Sequence, residues 1–302
     1  MPGIQHEHRR RESTAIISRS EQRGPIMLQA VKDLPALRRW YYTLSAPVKV
    51  TRLRLPLESA VRRNRRALAA VSSWIDEDVY QASVFRYGLP PHIRPFIDDP
   101  IDESPSYSDL IVHLAMQMGH VRYLELGPSV GKNFFQVAKA VSNAELVAID
   151  IENINPVLER QLTFVGREEW ESARDSIRTE RSTQTTYTLE SNRIDYIAGD
   201  LFDRSTWNRL VGRKFNVIFS DAFHSPQGLA TEWERILQLE LLCDGPVALI
   251  WDDLGHAAMR RTFYEIAVNI RQLRPGAQVS LELLQGWVGK RERLHPVGII
   301  RA

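Results

Sequence analysis

Acidic residues stand where several short apolar runs of this sequence end. Glu125 precedes the turn Gly127-Pro-Ser-Val-Gly131, Asp150 closes ELVAID, and Asp200 closes RIDYIAGD. Asp221 follows FNVIFS, and Asp252 and Asp253 follow VALIW. If the last two runs are neighbouring strands, Asp221, Asp252 and Asp253 converge. Three carboxylates that close together repel one another unless a cation lies between them. Hard oxygen donors suit Mg²⁺, Ca²⁺ or Mn²⁺. An ion there could hold substrate hydroxyl oxygens and lower a hydroxyl pKa. His224, three residues beyond Asp221, titrates near neutrality and suits a general base, with His256 as runner-up. Simpler roles compete, since an Asp at a strand end also closes turns, and Asp253 could cap a helix starting near His256. Adjacent strand residues point to opposite faces, so Asp252 and Asp253 reach one ion only if the chain turns there, as Gly255 would allow.

The turn from Gly127 to Gly131 is the second chemical signal. Glycines let backbone approach a ligand, and the free N–H groups of the following helix can face an anionic group. Three ligands compete. A nucleoside triphosphate calls for G-x-x-x-x-G-K-[ST], but Gly127 to Gly131 is one residue short and Asn133 replaces the hydroxyl. A dinucleotide calls for G-x-G-x-x-G, but Ser129 and Lys132 stand at its later glycines. S-adenosylmethionine needs an acidic residue before the turn and no diphosphate cradle.

These residues need strands to carry them. From residue 121 onward VRYLEL, ELVAID, RIDYIAGD, FNVIFS and PVALIWDD alternate with helical stretches such as KNFFQVAKAV. HAAMRRTFYEIAVNIRQL predicts a long helix, and VSLELLQG and HPVGIIRA two final strands. Such alternation predicts an α/β fold with a mostly parallel sheet, helices on both faces, and a ligand site beyond the C-terminal strand ends. Residues 160–193 form a polar, Arg-rich insertion, expected either as surface decoration or as a substrate lid. Trp251 and Trp287 suit core packing better than a pocket wall.

The 302 residues carry 39 Lys+Arg against 37 Asp+Glu, with 43% hydrophobic and 25% charged, as in ordinary globular chains. No run approaches the ~20 apolar residues of a membrane span. Cys243 is the sole cysteine, so no internal disulfide forms and a cytoplasmic setting is expected. Residues 1–70 hold fifteen Lys/Arg and five Asp/Glu. Without aromatic interleaving or a zinc-finger pattern, that charge reads as a solvated face, and nucleic acid is not the expected partner. Residues 1–25 read as a flexible basic tail and 26–105 as a helical region that could join two copies of the chain.

Glu125-Leu-Gly-Pro-Ser-Val-Gly131 resembles motif I of class I S-adenosylmethionine-dependent methyltransferases, departing at Ser129, where the family usually has glycine. The resemblance covers roughly residues 106–302 and implies a Rossmann-like sheet with an antiparallel last strand. It implies cofactor contacts at Glu125, Gly127, Ser129, Gly131 and Asp221. Asp150 would bind the ribose hydroxyls, and Asp200 with Leu201 the adenine. D-A-F-H followed by W-D-D resembles the metal-dependent O-methyltransferases of the macrocin and mycinamicin sugar type. That implies Mg²⁺ on Asp221, Asp252 and Asp253, His224 as base, and a small-molecule hydroxyl as acceptor. The alternatives are a metal-independent N- or O-methyltransferase using His224, and a non-catalytic nucleoside-binding protein of the same fold. The Asn/Asp-Pro-Pro-aromatic motif of amino-group methylation is absent after strand four.

Overall fold

The computed structural model describes residues 49–52, 107–129, 131–171, 182–285 and 294–302. One sheet of ten strands runs through it, comprising β1 (Lys49–Arg52), β2 (Arg122–Leu126), β3 (Glu145–Asp150), β4 (Thr163–Trp170), β5 (Ser182–Leu189), β6 (Asn192–Ala198), β7 (Val217–Ser220), β8 (Ala248–Trp251), β9 (Gln278–Gln285) and β10 (Leu294–Arg301). Their spatial order is β1-β9-β10-β8-β7-β2-β3-β6-β5-β4, and β5 and β10 run against the rest. The central strands are buried on both faces, which is why they read as continuous apolar runs.

The helices are α1 (Tyr107–Ala115), α2 (Lys132–Ala140), α3 (Pro156–Glu159), α4 (Arg204–Asn208), α5 (Pro226–Gln238) and α6 (Ala257–Leu273). Alternate strand residues feed two cores. Tyr123, Phe219 and Ile250 join Phe134 and Phe135 of α2 on one face. Leu124, Ile218 and Trp251 join Trp233 of α5 and Phe263 of α6 on the other. Trp251 is 1% exposed and stands edge-on to Trp233 and Phe263, so it is core, as expected. Trp287 lies outside the described residues.

Chain order and spatial order together form a Rossmann-like sheet. From β2 the chain steps outward through β3 to β6, then returns to β7 on the other side of β2. β2 and β7 therefore flank the topological switch point, and their C-terminal ends are where a ligand site belongs.

Three elements differ from the sequence reading. Within residues 26–105, expected to be helical, Lys49–Arg52 is a strand parallel to β9, and the remainder lies outside the described residues, as does the 1–25 tail. The 160–193 insertion holds two strands, β4 and β5, that extend the sheet beyond β6. Its connecting residues 172–181 lie outside the described ones. Helix α5 has no counterpart in the strand-by-strand reading. Ser225 caps it by accepting from the Gly228 N–H at 3.0 Å, and Pro226 opens it.

Asn192 joins three of these elements. Its amide donates to the carbonyls of Ala138 (2.8 Å) and Val141 (3.0 Å) at the end of α2 and accepts from the Ala144 N–H (2.9 Å). Asn192→Ala would strand these buried groups, so a loss of about 2–3 kcal/mol is expected in a urea titration. A midpoint unchanged from wild type would contradict this account.

Candidate active site

Gly127 continues β2 by donating its N–H to the Ile149 carbonyl at 2.8 Å. The backbone then turns left-handed three times, at Gly127 (φ 76°), Ser129 (φ 53°) and Gly131 (φ 79°). A Cβ on Gly127 would stand 2.5 Å from the Cα of Ala222, in the loop after β7. The glycine thus lets the two loops of the switch point touch. A Cβ on Gly131 would meet Leu158 Cδ2 at 2.5 Å. Gly131 therefore makes room for a packed side chain, a reason the sequence does not reveal. Gly131 also stands at the N-cap of α2, where it makes no side-chain cap.

Asp150 fastens this turn. Its Oδ2 accepts from the Ser129 N–H and its Oδ1 from the Glu152 N–H, each at 2.9 Å. Burial raises its pKa, and those two hydrogen bonds oppose the rise. Glu125 lies beneath the turn, 1% exposed, and accepts from the Tyr123 hydroxyl at 2.6 Å. Burial, with the nearby Asp150 charge adding to it, pushes its carboxyl up to about 8. Asp200 folds its own loop by accepting from the Phe202 N–H at 2.8 Å. Leu201 is buried, and its carbonyl accepts from Trp207 Nε1 at 2.7 Å.

Beyond β7 and β8 the structure regroups the expected metal ligands. Ligand atoms of Asp221, His224 and Asp253 all lie within 4.8 Å of one another. Asp252 is outside that trio. It is buried, and its carboxyl is hydrogen-bonded to that of Asp221. The Asp221 pKa is raised, first by burial and then by the Asp252, Asp253 and Glu125 carboxyls. The turn that separates Asp252 from Asp253 is made by Asp253 itself, at φ 56°, rather than by Gly255. Nor does Asp253 cap the next helix, because His256 holds the N-cap position of α6.

His224 Nδ1 sits 2.5 Å from Asp253 Oδ2. That hydrogen bond raises the His224 pKa, burial opposes it, and the Asp253, Asp252 and Glu232 charges add to the rise. With Nδ1 committed to Asp253, Nε2 is the nitrogen left to take a proton. His256 is exposed at its N-cap and is not one of the grouped ligands.

Sequence reasoning passed over three supports of this site. Phe202 and Phe223 meet edge-to-face at 4.3 Å, joining the loops after β6 and β7. Buried Arg260 donates to the carbonyls of Leu254 (2.8 Å) and Gly255 (2.7 Å), pinning the loop that carries Asp253. Glu232 of α5 lies under the ends of β7 and β8. An apolar pair and a lone Arg carry no spacing signal, whereas Glu232 interrupts the buried face of its helix and could have been noticed.

No family model matches the chain, and no curated protein does either. Among solved structures it is similar to the O-methyltransferase from Bacillus cereus in complex with SAH, at 15% identity and TM-score 0.44 over 79% of this chain and 96% of that one. It is also similar to the O-methyltransferase TomG from Streptomyces achromogenes, involved in tomaymycin synthesis and solved with SAM. The values there are 16% identity and TM-score 0.43 over 79% of this chain and 96% of that one. No helix among the described residues is long and apolar enough to cross a membrane.

Proposed function

We propose that this chain is an S-adenosylmethionine-dependent methyltransferase that methylates a hydroxyl of a small molecule, assisted by a divalent cation. One observation carries the reading. Carboxyl groups stand around the glycine turn at the switch point: Asp150 accepts from its Ser129 N–H, Glu125 lies beneath it, and Asp221 donates its own N–H to the Leu126 carbonyl just before it. A diphosphate ligand calls for cations and would meet carboxyls instead, whereas the ammonium group of a sulfonium compound finds hydrogen-bond acceptors. The ligand's own carboxylate would face the N-terminus of α2, the positive end of the helix dipole.

The donor set suits both groups. Gly127, Ser129, Asp150, Asp200 and Leu201 would hold the cofactor, which supplies an electrophilic methyl group. Asp221 and Asp253, with His224 as a third donor, would hold a divalent cation such as Mg²⁺ or Mn²⁺, whose charge would offset the burial and the carboxylate repulsion that raise the Asp221 pKa. The cation would hold the acceptor hydroxyl and favour its ionised form. The remaining work of the chain is to orient the acceptor and receive its proton.

The His224–Asp253 pair favours a second reading, in which no ion is needed. Asp253 then orients the imidazole, and Nε2 removes the acceptor proton directly. Loss of turnover on chelation separates the two.

Calorimetry tests the cofactor half. S-adenosylhomocysteine should bind, with NAD and ATP silent. Asp150→Ala should weaken binding at least about tenfold, because it releases the Ser129 amide as well as a ligand contact, each such charge-assisted hydrogen bond being worth ~1.5–3 kcal/mol. Binding of ATP or NAD in place of S-adenosylhomocysteine would overturn the assignment. Transfer of labelled methyl into a library of hydroxyl compounds then separates an enzyme from a mere nucleoside binder.

A further inference from the structure

Ser220 and Trp251 are the last residues of β7 and β8, and they are direct partners across that parallel ladder. Both side chains point to the face covered by α5. There a single atom, Glu232 Oε2, accepts from Ser220 Oγ at 2.7 Å and from Trp251 Nε1 at 3.3 Å. The next residue on each strand is an aspartate of the acidic cluster, Asp221 or Asp252. The helix that supplies Glu232 begins at Pro226, two residues beyond His224. One carboxyl therefore ties together the three segments that carry Asp221, His224 and the Asp252-Asp253 pair.

Packing does not explain this residue. Glu232 is 1% exposed, its carboxyl is pushed up to about 7 by burial, and its Oε1 has no hydrogen-bond partner. Leu229, Trp233 and Ile236 of the same helix are buried around it. A leucine would suit such surroundings without the cost of a half-satisfied carboxyl. What leucine lacks is an acceptor that holds two neighbouring strand ends in register.

We propose that Glu232 is a positioning residue that sets the divalent-cation affinity of the Asp221–His224–Asp253 cluster by clamping the ends of β7 and β8 to α5. The proposal rests on the cation reading above. Partners behind metal ligands commonly tune affinity by 10–100-fold, a range roughly expected here.

The test is calorimetric titration of Mn²⁺ into the full chain, with S-adenosylhomocysteine affinity and thermal unfolding measured in parallel. Glu232→Leu should lose at least about tenfold in Mn²⁺ affinity and keep its S-adenosylhomocysteine affinity. Glu232→Gln should restore Mn²⁺ binding, because an amide oxygen accepts the same two hydrogen bonds. If Glu232→Leu does not fold, Ser220→Ala removes the donor of the 2.7 Å bond at the cost of one oxygen atom and should lower Mn²⁺ affinity in the same direction. Folded variants that bind Mn²⁺ as wild type does, with only a lower unfolding temperature, would reduce Glu232 to a structural role and overturn the proposal. Wild-type protein that binds no Mn²⁺ would instead sink the cation reading, and this inference with it.

Discussion

Replacing His224 by alanine is expected, on the proposed function, to lower methyl transfer by roughly 10²–10⁴-fold while S-adenosylhomocysteine affinity stays as in wild type. The imidazole is bonded to Asp253 at 2.5 Å and lies in the loop after β7, beside Asp221. It has no part in the glycine turn. The pH dependence follows from the same contact. A base must be neutral to act, and Asp253 stabilises the protonated ring, so its pKa lies above the ordinary histidine value. If the His224–Asp253 pair acts without an ion, the rate should therefore rise with pH through a midpoint above that value, and Asp253→Asn should move the midpoint down. Under the cation reading, EDTA should instead stop the reaction and Mg²⁺ restore it. The measurement is a rate–pH profile with an acceptor identified by labelled-methyl screening. Full activity of His224→Ala would remove the residue from the chemistry. Full activity after rigorous chelation would leave the His224–Asp253 pair as the base and make the metal-independent reading the leading one.

The second large effect belongs to Gly127. Gly127→Ala should abolish measurable S-adenosylhomocysteine binding, whereas Gly131→Ala should only weaken it. Both positions have positive φ, which costs an L-residue about 1–2 kcal/mol. They differ in what the new methyl meets. At Gly127 it meets the Ala222 backbone, which is held by the neighbouring Asp221 N–H donating to the Leu126 carbonyl at 2.9 Å. At Gly131 it meets the tip of Leu158, a side chain that can rotate away. The first substitution pushes apart the two loops that form the switch point, and the second repacks one residue. Calorimetry on both variants checks the order. Equal losses would show that closeness between the β2 and β7 loops is not what the site depends on.

The alternation of apolar runs and amphipathic stretches determined the central sheet, because a strand buried on both faces must be apolar throughout and a covering helix must be apolar on one side. The same local rule located the acidic residues, since the first polar residue after such a run leaves the core at the strand's C-terminal end. Weaker patterns were not legible. TFVGREEW lies on the sheet edge with most of its residues exposed, so β4 has no buried face to announce it. The Thr-rich β5 beside it carried only a β-branched propensity.

Side-chain roles at the strand ends were decided by tertiary structure. Asp252 and Asp253 are adjacent and chemically alike, yet a left-handed backbone at Asp253 sends it to His224 while Asp252 turns to Asp221. Nothing in the two residues themselves sets that φ. It follows from the path of the loop pinned by Arg260 and from the neighbouring strand end that brings Asp221 within reach. Glu232 is likewise only a helical glutamate until β7 and β8 pair beneath it, because its two hydrogen-bond donors lie on different strands and meet only through the register of the sheet.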